Sequence, residues 1–95
     1  MITTKQRAQL RGMANNLAPV LHVGKAGITE NLIQQADEAL AARELIKGAC
    51  LETCPITARE ALTQLCELTR SEPVSQVGRR FVLYRKNHRD PKIVL

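Results

Sequence analysis

The chain has 95 residues, of which 44% are hydrophobic and 24% charged, and this is the composition of a single globular domain. It has no apolar run of about 18 residues, which excludes a membrane-spanning helix. Its first residues lack the apolar core of a secretory signal, so we expect a cytoplasmic protein. The three cysteines, Cys50, Cys54 and Cys66, form neither an even disulfide set nor closely spaced pairs of zinc ligands. We expect neither a metal nor a cofactor.

The net charge of +5 is concentrated at the two ends of the chain. Residues 1–25 carry four cations and no acid, and residues 79–95 carry six cations and one acid. Residues 26–78 carry eight acids and four cations. If the two ends meet in the fold, they form one basic face of the kind that binds a polyanion. The alternative is a set of scattered, solvated charges.

The first elements are a helix and a short strand. Residues 3–17 have apolar side chains at helical spacing, and Arg7 and Arg11 lie together on the flank of this predicted helix. Pro19 ends the helix, and the apolar residues 20–23 predict a strand.

A Gly-Lys-Ala-Gly loop follows this strand and is the most informative motif of the chain. Gly24 and Gly27 permit positive φ angles and close backbone approach, and Lys25 places a cation between them. Thr29 is a suitable N-cap, so free N–H groups of a helix begin next to the loop and suit a phosphate. A G-x-x-G loop is how KH modules clamp a nucleic-acid backbone. The alternative is a tight strand-to-helix turn that binds nothing.

The remaining elements have clear start signals. The capping box of Thr57 and Glu60 predicts the start of a helix. The predicted elements are a helix through 28–40, a strand over 44–51, a helix over 58–68, and strands at 74–77 and 80–85 joined by a turn at 78–79.

The resulting order, α-β-α-β-α-β-β, predicts one α/β domain over residues 1–95, with the last ten or so residues loosely attached. Two β-α-β crossovers followed by a hairpin give a four-stranded mixed sheet packed with helices. The Gly-Lys-Ala-Gly loop then lies at the carboxyl end of the first strand, where ligands bind in open α/β sheets.

Three separated motifs resemble the YhbY-like proteins, which are the stand-alone bacterial form of the CRM (chloroplast RNA splicing and ribosome maturation) domain. The motifs are residues 24–29, 43–47 and 77–85, supported by 10–14, 17–19 and 90–93. This resemblance implies a fold similar to the C-terminal domain of translation initiation factor 3, with a KH-like G-x-x-G loop. It also implies binding of ribosomal RNA and a role in assembly of the large ribosomal subunit. The sequence departs from the family pattern at Arg43, where histidine is frequent, and at Gly48-Ala49, where β-branched residues are usual.

The residues expected to contact RNA combine the loop with cations from both ends of the chain. They are Gly24, Lys25, Ala26, Gly27, Arg7, Arg11, Arg79, Arg80, Arg85 and Lys86. Lys47 is interpreted instead as a solvated charge on a strand edge. Phe81 and Tyr84 have opposite parity in their strand, which excludes an aromatic platform for stacked bases.

Two other classes of function are weighed against RNA binding. A protein–protein adaptor would dock through the acidic surface of the second and third helices. A small enzyme would need a nucleophile with a base, or paired carboxylates, and the sequence has neither at a suitable spacing. His22 beside the loop is interpreted as a half-buried strand histidine. We therefore expect a non-enzymatic, monomeric protein with no small-molecule substrate.

Overall fold

Seven elements follow one another in the predicted order in the computed structural model, which describes residues 2–95; Met1 lies outside the described part. They are α1 (Thr4–Ala14), β1 (Leu21–Val23), α2 (Glu30–Arg43), β2 (Leu45–Cys50), α3 (Ala58–Thr69), β3 (Glu72–Val77) and β4 (Arg80–Tyr84). The predicted fold class is confirmed. None of the helices within residues 2–95 combines the length and the apolar character needed to cross a membrane.

Two boundaries differ from the prediction for local reasons. Helix α1 ends at Ala14, three residues early, and two asparagines follow it. Asparagine side chains compete for backbone hydrogen bonds and are poor helix formers. Strand β3 begins at Glu72, two residues early, because a bulge between Pro73 and Ser75 accommodates the proline on an edge strand.

The sheet has the order β1-β2-β4-β3. β1 and β2 are parallel, whereas β4 is antiparallel to both β2 and β3. Strands β1, β2 and β3 therefore all end at the same edge. We call this the loop edge, and it carries residues 24–29, residues 51–57 and the β3–β4 turn at 78–79.

Helices cover the two faces of the sheet unequally. Helices α2 and α3 bury one face, which we call the closed face, and its core includes the fully buried Phe81 and Leu65. Helix α1 lies on the other face, the open face, where Leu10 packs with Val82 and Tyr84. The prediction that Phe81 and Tyr84 lie on opposite faces is confirmed, and both side chains are buried.

Gly48 is required by packing on the closed face. It pairs across the strands with Phe81, and the aromatic ring occupies the space that a Cβ at residue 48 would need. The departure from the β-branched residue usual at this position therefore makes room for a large ring.

The C-terminal residues are anchored, contrary to the expectation of a loose tail. The buried Glu44 carboxylate accepts the backbone N–H groups of Asn87, Lys92 and Ile93, two of them at 2.8 Å. Burial raises the pKa of Glu44, but these three hydrogen bonds and the Lys92 charge outweigh it and lower the pKa overall. The tail is held because an ionised carboxylate inside the domain binds its backbone, and Ile93 packs against the open-face core.

Candidate nucleic-acid interface

The Gly-Lys-Ala-Gly loop is a closed turn whose middle two residues face solvent. The Gly27 N–H donates to the Gly24 carbonyl at 3.0 Å, and Gly27 adopts a φ of +69°, which favours glycine. Lys25 and Ala26 between them are exposed. Thr29 caps α2 by accepting the Leu32 N–H, as predicted.

The loop is held against the neighbouring loop of residues 51–57. The Leu51 N–H donates to the Val23 carbonyl at 2.9 Å. A Cβ at Gly24 would lie 3.8 Å from Leu51, and one at Gly27 would lie 3.7 Å from the Pro55 ring. This support fixes the position at which the loop presents Lys25.

The β3–β4 turn brings Arg79 to the same loop edge. The Arg79 carbonyl accepts the Cys50 N–H at 2.8 Å, which ties the turn to the end of β2. The Arg79 guanidinium lies 3.8 Å from the Glu52 carboxylate, and both side chains are mostly exposed. An exposed pair of this kind contributes little to stability, so the guanidinium remains available to a ligand.

A groove of about 420 Å³ runs between α1 and the open face. Among residues 2–95, Arg11, Lys47 and Arg80 line it and no acidic side chain does. The structure thus brings together cations from the two ends of the chain, as the charge pattern predicts. The interpretation of Lys47 as a charge on a strand edge is wrong, because β2 lies between β1 and β4. Its alternation with the buried Ile46 and Gly48 is the sequence signal for a side chain on the opposite face.

The groove adjoins the loop edge. Arg80 pairs with Ala49, and Ala49 pairs with His22, two residues before the loop begins. Arg80 and His22 are therefore two strand spacings apart, which is about 10 Å. His22 is exposed on the open face rather than half-buried, so it borders the same surface.

Two other expected contact residues lie elsewhere. Arg85 lies towards the closed face and donates to the Asp37 carboxylate at 2.6 Å and to the Thr69 carbonyl at 2.9 Å. Lys86 lies two residues beyond Tyr84, the end of β4, which is itself about 13 Å of strand away from Arg80. The structure does not bring either residue to the groove or the loop edge.

Arg7 lies one helical turn before Arg11, and its position is partly fixed. Its Nε donates to the Pro73 carbonyl at 3.1 Å, which links α1 to β3. Arg7 therefore positions the helix that forms one wall of the groove.

The titratable groups near the loop edge do not form a reactive centre. Burial and the neighbouring Cys54 raise the pKa of Cys50 to about 11, so it is a protonated thiol at neutral pH. Among residues 2–95, no three His, Cys, Asp or Glu side chains are grouped so as to hold a metal ion.

The sequence and the fold are similar to those of proteins named for RNA binding. "Probable RNA-binding protein YqeI" of Bacillus subtilis is 39% identical over 95 residues, covering 100% of this chain and 99% of that protein. "Probable RNA-binding protein PA4753" of Pseudomonas aeruginosa is 33% identical over 91 residues, covering 96% of this chain and 88% of that protein. The solution structure of SAV1595 from Staphylococcus aureus has a TM-score of 0.84 at 41% identity, covering 100% of this chain and 99% of that one.

The family model named CRS1 / YhbY (CRM) domain matches residues 2–85. This match confirms the resemblance found in the three sequence motifs. The names of these relatives, which state RNA binding, agree with the prediction of a non-enzymatic protein. The chain belongs to the CRS1/YhbY (CRM) domain family.

Proposed function

We propose that this protein binds RNA through the loop edge and the adjoining groove. The observation that carries the proposal is the juxtaposition of an exposed Gly-Lys-Ala-Gly loop with three cations that line one groove. Lys25 and Arg79 supply charge at the edge, and the groove extends it over the open face. The names of the relatives support RNA as the polyanion.

The proposed binding is dominated by the phosphate backbone. The cations of the loop and the groove suit phosphate oxygens, and both aromatic side chains are buried away from any stacking surface. We therefore expect strong salt dependence and weak sequence preference. Contact with about four to six phosphates predicts a log–log salt slope of roughly −3 to −5.

We further propose ribosomal RNA as the target, with a role in assembly of the large ribosomal subunit in the cytoplasm. The support is the resemblance of the three motifs to the YhbY-like proteins, together with the net charge of +5.

The test is Lys25→Asp, compared with Lys86→Asp as a control of identical charge change at the far end of β4. Both residues are exposed, so each substitution should change the free energy of unfolding by less than about 0.5 kcal/mol. Lys25→Asp should weaken RNA binding about tenfold or more, because it replaces a phosphate partner with a repulsive charge. Lys25→Asp should also reduce cosedimentation with large-subunit particles. Lys86→Asp should change RNA affinity and cosedimentation much less.

Affinity for a ribosomal RNA fragment is measured over several salt concentrations, with melting temperature as the folding control. Equal RNA affinity of the two variants would show that the loop is not part of the interface. An RNA affinity that does not change with salt concentration would contradict binding by the basic surface. RNA binding without cosedimentation would leave RNA as the partner and refute the ribosomal target.

A further inference from the structure

The groove between α1 and the open face offers more than charge. Its volume of about 420 Å³ lies within the roughly 300–1,000 Å³ range of sites for small molecules. Val77, which is 78% exposed, gives it an apolar surface on the sheet side next to the largely buried Val82. Phosphate contact alone requires no apolar surface, whereas the face of a nucleic-acid base does.

Helix α1 leaves space on its side of the groove because residue 12 is a glycine and has no side chain. Glycine within a helix is destabilising relative to alanine. A Cβ at Gly12 would meet no atom within 4 Å, so packing does not demand glycine at this position. Gly12 and Ala8, one turn apart, both line the groove. The missing side chain therefore leaves space above the apolar surface of the sheet.

Two accessible polar side chains face this space. Asn15 and Ser75 both line the groove. Asn15 is exposed and Ser75 is half-buried, so both side chains are accessible to a ligand in the groove. A carboxamide and a hydroxyl each donate and accept, as the edge of a base does.

We propose that the groove receives the base of one unpaired nucleotide, a refinement that rests on the proposed RNA-binding function. The base lies between Gly12 and the two valines, and Arg11, Lys47 and Arg80 contact the adjacent phosphates. A base inside a duplex is stacked between its neighbours and does not enter such a groove, whereas a bulged base does. The protein then distinguishes a bulge from a regular helix without recognising a sequence.

The test uses three RNA duplexes that differ at one position: fully paired, with a single-nucleotide bulge, and with the same bulge lacking its base. The abasic duplex keeps the phosphates and the bend, so its difference from the bulged duplex isolates the base. The full-length protein should bind the bulged duplex about tenfold more tightly than the abasic one, because one face of the base is removed from water against the apolar surface of the groove. Gly12→Leu, which fills the groove with a good helix former, should abolish this difference. The bulged and abasic duplexes are compared within the same variant, so any general change in RNA affinity cancels in their ratio.

Gly12→Ala serves as a size control, because one methyl group leaves most of the groove open and the preference for the bulge should persist. Equal binding of the bulged and abasic duplexes by the unaltered protein would overturn the inference while leaving the proposed function standing. A preference that survives Gly12→Leu would place the base elsewhere and overturn it too. Failure to bind any of the three RNAs would refute the proposed function itself.

Discussion

The two faces of the sheet are made from the same strands but differ in how completely they are covered. On the closed face, α2 and α3 pack over a continuous apolar core, and Phe81 fills the space above Gly48. On the open face, α1 and Ile93 of the anchored tail cover only the part of the sheet around Tyr84. The part nearer the loop edge is left as a cationic groove.

The closed face therefore contributes to the stability of the domain, and the open face provides the surface proposed to recognise RNA. Successive residues of β2 alternate between the two roles: Ile46 and Gly48 belong to the closed face, whereas Lys47 lines the groove. Because side chains alternate along a strand, one short segment supplies both a dry core and a charged surface. The charge at the ends of the chain reaches this surface only because α1 and β4 lie on either side of it.

The largest expected effect contrasts two neighbouring residues of β2. Gly48→Val should lower the free energy of unfolding by about 3 kcal/mol, because the new side chain collides with the buried Phe81 ring. Ala49→Val adds comparable bulk to the partly exposed open face and should change it by less than about 0.5 kcal/mol. Urea unfolding of both variants measures the contrast, and equal losses would contradict the distinction between the faces.

The second prediction concerns the cover of the open face by the tail. Glu44→Gln should lower the free energy of unfolding by about 2 kcal/mol at pH 7, because a neutral amide replaces the carboxylate that accepts three backbone N–H groups. Amide exchange at Asn87 and Ile93 should accelerate more than exchange in α3.

The same variant has a defined pH dependence. The pKa of Glu44 is lowered from its ordinary value of 4.5 in the folded protein, so its stabilising effect is complete well above that pH. The effect is lost as the pH falls through 4.5 and then through the folded pKa. The stability difference between the parent and Glu44→Gln should therefore shrink below this pH, and a difference that grows on acidification would contradict the assigned role.

The smallest expected effect belongs to Arg85. Arg85→Gln should lower the free energy of unfolding by about 1 kcal/mol, since it loses the Asp37 and Thr69 contacts at a partly exposed site. RNA affinity should stay within twofold of the parent, apart from the general effect of one unit of charge, because the side chain lies away from the groove. A large loss of affinity with unchanged stability would reverse this assignment and extend the interface to the far end of the sheet.

The sequence by itself determined the elements and the loop, because their signals are local. The capping box of Thr57 and Glu60, the N-cap Thr29 and the glycine loop each act over a few residues. The structure shows both caps as predicted and a turn at residues 24–27 in which Gly27, but not Gly24, has a positive φ. The parity of Phe81 and Tyr84 also sufficed to place them on opposite faces.

The tertiary structure alone decided which cations share a surface. Lys47 lies in the groove because β4 inserts beside β2 and makes it an interior strand, while Arg85 is drawn to the other face by Asp37. The tail is held by Glu44, 43 to 49 residues earlier in the chain. Such contacts join residues far apart in sequence, and no local propensity or periodicity encodes the strand order and pairing that bring them together.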